Sequence, residues 1–567
     1  MSRGFWPALL VIALVALALR LPQLDRRPMH GDEAVHADKF RGLWQSGVYK
    51  YDLNEYHGPT LYYVTLPVVW LSSAKDFADL KESTLRLVPV IFGVGLVLLL
   101  GLLHDALGRE ETLCAAALTA ISPAMVFYSR YYIHEMLLVF CTLLFLGSAW
   151  RYARSPRLGW ALLAGASLGL MHATKETCVI ALAAMAPALA AATLYGRWLD
   201  SPRRPFRLEF KPAHGLAALG VAVMISVTLF SSFFANMQGP VDSVRTYLPW
   251  LNRAGVGASP SLSAGELKDP RSLVDKLRRG SDPPSRFLGS RFSAERKRLL
   301  ADSNSPSPHL HPWDFYLERL FWFHHGFGPV WSEALILGLA LVGLMVSLRP
   351  AVTPGSQTTW LRFAGFYTVA LTAAYSAIAY KTPWCALGFL HGMILLAGVG
   401  AVALVRLARS PGLRFAVGTG IVLATAQLGV QSWRASFVFY EDRRNPYVYA
   451  QAVSDVRELA DRVAALARVA AQGPEVAITV AAPGSDYWPL PWYLRGFAKV
   501  GWYSDLEAAP DADVFIASPR FRAALNAKLG QTHQTVGLFG LRPGTFLQLF
   551  VRRELWRDYT ERLQATP

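Results

Sequence analysis

The chain has 567 residues, of which 53% are hydrophobic and 17% are charged, and its net charge at pH 7 is +16. A soluble protein carries about 25% charged residues, and here the apolar residues lie in long blocks, which excludes an ordinary soluble globular protein and favours a membrane protein. The positive charge does not indicate nucleic-acid binding, because much of the excess lies in short loops between apolar segments.

Eleven apolar segments approach the roughly 20 residues that a helix needs to cross the hydrocarbon core. In chain order the predicted crossings are 4–22, 83–103, 111–129, 132–150, 158–174, 176–195, 214–235, 329–348, 361–380, 384–405 and 414–432. The first is interpreted as an uncleaved span, because no small-x-small cleavage site follows it. The predicted fold class is an α-helical polytopic membrane protein with about 11 transmembrane helices.

The shorter apolar run 59–71 decides the topology. If it lies at the outer surface as a juxtamembrane or re-entrant helix, the loops 151–157, 196–213 and 406–414 are cytoplasmic and hold eleven basic residues against two acids. The positive-inside rule selects this arrangement. It places the N-terminus in the cytoplasm of a multi-pass protein of the plasma (inner) membrane, with the C-terminal region outside.

This topology divides the chain into four regions. They are a transmembrane core over residues 1–235 with the first outer loop 23–82, an extracytoplasmic insertion 236–328, further transmembrane helices 329–432, and an extracytoplasmic α/β domain 433–567. In the last region a helix over 449–470 and strands at Val476–Ala482, Val514–Ala517 and Phe546–Val551 are predicted. The stretch 259–308 is rich in Ser, Pro, Arg and Lys, which is typical of partly disordered segments or a mobile lid.

Two groups of acidic residues are candidates for chemistry at the outer face. Asp32 and Glu33 follow the first span, and His36 lies one helical turn after Asp32. Glu135 begins the fourth span, where a carboxylate is costly and is normally paired or functional; Arg130 is its obvious structural partner. The alternative for the first pair is that it starts a helix. Two membrane-edge acids facing one compartment nevertheless indicate a site.

Basic residues lie at the outer ends of other predicted spans. Lys175, Lys381 and Arg130 are placed where they can hold a lipid phosphate at the membrane surface. The alternatives are snorkelling to the interface and, for Lys175, an ion pair with Glu176. No acid lies within ten residues of Lys381, which favours a free cation there.

Other patterns exclude some kinds of site. The four cysteines, in apolar segments without a CxxC pair, are interpreted as buried thiols. His324 and His325 suggest a metal, but neighbouring positions point different ways on a helix, so no metal site is predicted. The sequence has no Walker A motif or Rossmann fingerprint, so nucleotide-driven transport has no support.

Taken in this order and topology, the motifs resemble the GT-C class of membrane glycosyltransferases, such as the dolichyl-phosphate-mannose protein mannosyltransferases and the aminoarabinose transferase of lipid A. The residues that carry the resemblance are Asp32-Glu33, His57-Gly58-Pro59-Thr60-Leu61-Tyr62-Tyr63, Arg130-Tyr131 through Glu135, Thr174-Lys175-Glu176 and Lys381-Thr382-Pro383-Trp384. Gly31 to Ala37, Tyr380 to Trp384 and Asp486-Tyr487-Trp488-Pro489 look closer still to the flippase-activity-associated branch. His134 departs from the pattern of many relatives.

The resemblance implies an inverting transfer of a sugar from a polyprenyl-phosphate donor to the hydroxyl of an acceptor glycan, lipid or protein. Asp32 would be the general base, with Glu33 and Glu135 positioning the acceptor or orienting the base. The donor phosphate would be neutralised by Arg130, Lys175 and Lys381. The substrates would be lined by His36, His57, Tyr62, His134, Tyr380 and Trp384. No cofactor is predicted: some GT-C members use a divalent cation, but no third acid is near the carboxylates.

Two other functions use the same features. A flippase or transport component for lipid-linked sugars would use the same cations, and an accessory scaffold in envelope glycan assembly would use the C-terminal domain for docking. The outer-face acids favour an enzyme, because a translocation path would be expected to place charges at mid-membrane as well.

Overall fold

The structure is a computed structural model that describes residues 4–53, 57–200, 209–253, 309–350 and 356–564. The predicted flexible stretch 259–308 lies outside the described residues. Each of the eleven predicted crossings coincides with one or more helices.

Helices dominate the region of the chain that precedes the C-terminal domain. In the first half they are α1 (Phe5–Arg20), α2 (Gly31–Ser46), α3 (Thr60–Trp70), α4 (Glu82–Leu99), α5 (His104–Leu107), α6 (Arg109–Ile121), α7 (Pro123–Tyr128), α8 (Glu135–Arg154), α9 (Leu158–Thr174), α10 (Cys178–Leu199), α11 (Pro212–Phe230), α12 (Gln238–Arg245) and α13 (Tyr247–Arg253). They continue with α14 (Phe315–Phe321), α15 (Ala334–Ser347), α16 (Ser356–Ala377), α17 (Leu387–Leu407) and α18 (Pro411–Phe437). Short 3₁₀ turns cover Leu100–Leu103 and Pro383–Ala386.

Within the described ranges, six helices are long and apolar enough to cross a membrane: Glu82–Leu107, Glu135–Arg154, Cys178–Leu199, Pro212–Phe230, Pro383–Leu407 and Pro411–Phe437. The predicted count of about 11 crossings is therefore not confirmed. One reason lies in the predicted span 111–129, which is broken into α6 and α7. Pro123 has no amide hydrogen to continue α6 and instead begins α7, and the Ser122 side chain caps the new helix.

The short apolar run after His57 forms α3, which has 11 residues. At 1.5 Å per residue its length is about 17 Å, roughly half the thickness of the hydrocarbon core. Its C-terminal end exposes Trp70 and Leu71. These features agree with a helix at the membrane surface, and its placement there stays a prediction.

Close helix packing at the centre of the bundle depends on glycines. A Cβ on Gly343 of α15 would lie 1.9 Å from the carbonyl oxygen of Leu396 on α17, and one on Gly400 would lie 1.9 Å from that of Leu339. Small residues at such contacts let two helix backbones approach each other. This packing fixes the position of α17 and of the short turn before it, which carries Trp384.

The C-terminal domain is an α/β domain, as predicted. Its strands are β1 (Ile478–Ala481), β2 (Val500–Tyr503), β3 (Val514–Ala517), β4 (His533–Arg542) and β5 (Thr545–Arg552), and its helices are α19 (Asp455–Ala467), α20 (Leu490–Tyr493), α21 (Arg522–Leu529) and α22 (Arg553–Gln564). The sheet order is β2-β1-β3-β5-β4, with β1 parallel to β2 and β3 and the last two strands antiparallel. The three predicted strands correspond to β1, β3 and β5, whereas β2 and β4 were not predicted.

This domain rests on the segment that joins α1 to α2. The Arg457 guanidinium donates to the carbonyl oxygens of Asp25, Arg26 and Arg27, and the backbone amide of Met29 donates to the Tyr493 hydroxyl at 2.8 Å. The C-terminal domain therefore holds the segment just before Asp32 in place through these hydrogen bonds.

Candidate active site

Glu33 is the most firmly held acid of the site. It is fully buried, and its carboxylate accepts from Arg86 Nε at 2.8 Å and Nη2 at 2.7 Å, from Arg27 Nη2 at 3.0 Å, and from the backbone amides of Tyr132 and His30 at 2.8 and 2.9 Å. Burial alone would raise its pKa, but Arg27 and Arg86 outweigh burial and lower the pKa to about 2. Both oxygens of this carboxylate are therefore occupied by hydrogen bonds within the protein.

Asp32 is placed differently from Glu33, although the two are adjacent in the chain. Its side chain is 50% exposed, and its backbone amide at the start of α2 donates to Nδ1 of His30 at 3.1 Å. The His30 ring is itself fixed, because its Nε2 lies 2.9 Å from the Tyr449 carbonyl oxygen and its ring centroid lies 5.5 Å from that of Trp384. Among the three acids predicted to be catalytic, Asp32 has the accessible carboxylate.

Glu135 and Lys175 form a buried ion pair where α8 begins and α9 ends. The structural partner of Glu135 is therefore Lys175 and not Arg130, and that of Lys175 is Glu135 and not Glu176. Burial acts to lower the pKa of Lys175, but the Glu135 carboxylate outweighs it and the pKa is raised. Glu176 pairs instead with His57, whose Nδ1 lies 3.0 Å away.

Arg130 and Lys381 are both largely buried and make contacts with backbone carbonyls. Arg130 donates to the carbonyl oxygens of Arg20, Pro22 and Gln23 at 2.7, 2.7 and 3.1 Å, and it therefore closes the C-terminal end of α1. The Lys381 ammonium donates to the carbonyl oxygen of Ile378. The prediction of a free cation at Lys381 is therefore wrong, because the end of α16 supplies an acceptor that no search for nearby acids would find.

Three histidines predicted to line the substrates meet between α2, the segment before α3 and the start of α8. The ring centroids of His36 and His134 are 4.6 Å apart, those of His57 and His134 5.1 Å, and those of His36 and His57 5.4 Å. Nδ1 of His36 lies 3.1 Å from the Tyr62 hydroxyl. Because His36 follows Asp32 on α2 and His134 precedes Glu135, the two acids lie on the same side of the helix bundle.

A cleft runs from the Lys175–Glu135 pair into the bundle between α8, α10, α16 and α17. It is narrow, with a cavity volume of about 40 Å³, and part of it is open to the surroundings. Apart from that ion pair at one end, its wall is mostly apolar, and it includes Trp384 and His391. Trp384 also contacts His30, so this ring lies between the cleft and the start of α2. Tyr380, which was also predicted to line the substrates, has its ring centroid 4.8 Å from that of His309.

Sequence reasoning missed several residues that shape this site. Arg27 and Arg86 hold Glu33, and His30 and Tyr449 fix the start of α2. Arg86 carried a signal, because a charged residue within an apolar span is normally paired or functional. Tyr449 carried none, since it lies 419 residues from His30 in the chain.

Comparisons with known proteins show which fold the chain shares. Residues 51–236 match the family model of the dolichyl-phosphate-mannose-protein mannosyltransferases. ArnT from Cupriavidus metallidurans, solved bound to undecaprenyl phosphate, aligns over 98% of this chain and 99% of its own, with a TM-score of 0.55 and 16% identity. The chain has the GT-C fold.

A second solved GT-C protein has the same fold. The oligosaccharyltransferase AglB from Archaeoglobus fulgidus, in complex with an inhibitory peptide and a dolichol-phosphate, aligns over 98% of this chain and 77% of its own, with a TM-score of 0.53 and 13% identity. No curated protein sequence matches the chain. The family match and the shared fold bear out the expectation of a glycosyltransferase.

One structure of the Archaeoglobus fulgidus oligosaccharyltransferase, with a TM-score of 0.50, is a complex with Zn and sulfate. Among the residues of this chain that the structure describes, no group of three or more His, Cys, Asp or Glu side chains is placed to hold a metal. Glu33 and Glu135 are moreover each paired with basic side chains. The carboxylates of Glu33 and Glu135 are therefore occupied by guanidinium and ammonium groups in this structure.

Proposed function

We propose that this protein transfers a sugar from a polyprenyl-phosphate donor to an acceptor hydroxyl on the extracytoplasmic face of the plasma (inner) membrane, with inversion of the anomeric centre. The observation that carries the proposal is the cleft, which joins an apolar wall inside the helix bundle to charged residues at the bundle's end. A lipid with a long apolar tail and an anionic head group has a matching arrangement of apolar and charged parts.

The donor would lie with its isoprenoid chain in the apolar section of the cleft and its phosphate at the outer end. An ammonium group has three N–H donors, and Glu135 accepts from one of those of Lys175, which leaves donors for phosphate oxygens. Trp384, in the 3₁₀ turn just before α17, lines the cleft, and Lys381 precedes this turn in the chain. The structures of ArnT with undecaprenyl phosphate and of AglB with a dolichol-phosphate support a donor of this class.

The reaction would proceed at the start of α2. The acceptor oxygen attacks the anomeric carbon, the bond from that carbon to the phosphate oxygen breaks, and polyprenyl phosphate leaves with the bonding electrons. Asp32 takes the acceptor's proton, while Lys175 stabilises the charge that grows on the phosphate. Glu33 acts indirectly. Its carboxylate accepts hydrogen bonds from the Arg86 side chain and from the backbone amide of Tyr132, and these bonds hold the turn that presents Asp32.

Donor binding can be tested by removing the buried ion pair as a unit. In the double variant Lys175→Met/Glu135→Gln neither charge is left without its partner, so the fold should be retained. A hydrogen bond to a charged group contributes about 1.5–3 kcal/mol, so the KM for a polyprenyl-phosphate sugar should rise by about tenfold or more. The measurement is polyprenyl phosphate release at a series of donor concentrations in proteoliposomes.

The matched control is Lys39→Met/Asp52→Asn, which removes a partly exposed pair whose atoms are 2.7 Å apart. This variant should leave the donor KM unchanged. An unchanged donor KM in the Lys175→Met/Glu135→Gln variant would show that the donor phosphate binds elsewhere.

A further inference from the structure

The loop between β1 and α20, residues 482–489, lies at a position in the sheet where ligands commonly bind. The chain passes from β1 to β2 on one side and then crosses to β3 on the other side, so the strand order reverses between β1 and β3. In open α/β sheets ligands bind outside the carboxyl ends of the strands at such a reversal. The loop begins at the carboxyl end of β1.

The loop presents aromatic rings together with one ion pair. The Tyr487 ring centroid lies 4.9 Å from that of Trp502 and 6.3 Å from that of Trp488, and all three side chains are only partly buried. Asp486 pairs with Arg542, whose Nη1 also donates to the Trp488 carbonyl oxygen at 3.0 Å. The Asp486 and Arg542 side chains remain 34% and 25% exposed, so both can contact a ligand.

This loop also lies next to the proposed catalytic base. A Cβ built on Gly31 would lie 3.9 Å from Cβ of Trp488, and Gly31 directly precedes Asp32. Trp384, which lines the cleft, contacts the ring of His30 in the same turn. The start of α2 therefore lies between the donor cleft on one side and the loop 482–489 on the other.

We propose that Asp486, Tyr487, Trp488 and Arg542 form an acceptor subsite that binds carbohydrate. The C–H faces of a pyranose ring pack on aromatic rings, whose faces carry partial negative charge. Sugar hydroxyls both donate and accept hydrogen bonds, which suits a carboxylate beside a guanidinium. The inference rests on the proposed function and names the acceptor as a glycan or a glycan-bearing molecule.

The test uses the full-length protein in nanodiscs on an array of defined oligosaccharides. The wild type should bind a subset of them, and Tyr487→Phe, which keeps the ring, should bind within about threefold of wild type. Tyr487→Ala should weaken binding about tenfold through loss of the stacking surface. The control Leu563→Ala alters an exposed apolar side chain of the same domain and should have no effect.

Asp486→Asn provides an independent test if Tyr487→Ala fails to fold, and it should weaken binding about fivefold or more by removing a charged acceptor. An array on which the wild type binds no glycan would overturn the subsite. Unchanged binding by Tyr487→Ala would do so as well, as would unchanged binding by Asp486→Asn where Tyr487→Ala does not fold.

The same array separates this inference from the proposed function. Glycan binding without any release of polyprenyl phosphate would contradict the transfer reaction and leave the subsite standing. Release of polyprenyl phosphate with no glycan binding would contradict the subsite alone.

Discussion

Replacing Asp32 with Asn is expected to lower the turnover of a polyprenyl-phosphate sugar by about 10²–10⁴-fold, the usual contribution of a general base. The amide keeps the shape of the side chain but cannot take the acceptor's proton. The fold should be unaffected, because the Asp32 side chain is 50% exposed and its contribution to the turn comes through its backbone amide. The measurement is the rate of polyprenyl phosphate release at saturating donor.

Asp38→Asn is the matched control for this change. Asp38 lies on the same helix, its side chain is 40% exposed, and it pairs with Arg41 at 2.5 Å. This variant should retain the wild-type rate. Full turnover by Asp32→Asn would show that Asp32 is not the general base. An equal loss of turnover in both variants would indicate damage to α2 instead.

Replacing Glu33 with Gln is expected to destabilise the protein by about 3–5 kcal/mol, because it leaves the buried guanidinium groups of Arg27 and Arg86 without their countercharge. Both partners lie within 3.0 Å of its carboxylate oxygens. The change can be measured as the shift in the unfolding midpoint of the purified protein. Glu475→Gln is the control, because its ion pair with Lys499 is more than half exposed on both sides and should contribute at most about 1 kcal/mol.

The stability difference between wild type and Glu33→Gln should depend on pH, and this dependence identifies its cause. The pKa of Glu33 is lowered from 4.5 to about 2 in the folded protein. A lowered pKa means that the stabilisation is present above pH 4.5 and is lost as the pH falls toward 2. The stability difference between wild type and Glu33→Gln should therefore be constant near neutral pH and shrink below about pH 4.5. A difference that does not change over this range would attribute the effect to packing rather than charge.

The helices could be predicted because their apolar segments are long, whereas the direction in which they cross the membrane stays a prediction from the loop charges. The same reasoning placed Asp32 and Glu135 on one side of the bundle, and the contact between His36 and His134 shows them there. The strands β2 and β4 escaped prediction. β2 contains a glycine and is only partly buried, whereas β1 and β3, of equal length, are mostly apolar and fully buried; β4 includes polar residues and two glycines.

The roles of the charged residues could be predicted only incompletely, because their partners are distant in the chain or are not charged. Glu33 and Arg86 are 53 residues apart, and Glu135 and Lys175 are 40 residues apart. Arg130 and Lys381 contact backbone carbonyls at helix ends, which a search for acidic neighbours does not detect. Helix ends leave several carbonyls without helical partners, so a basic residue near one can be structural.

The most direct test of the account is single-turnover reaction of the wild-type protein in proteoliposomes with a polyprenyl-phosphate sugar of known anomeric configuration and a glycan acceptor. We predict that polyprenyl phosphate and glycosylated acceptor form in equal amounts and that the new glycosidic bond has the opposite configuration. Movement of intact donor across the bilayer without cleavage would contradict the account and favour a flippase. A product with retained configuration would contradict the single displacement at Asp32.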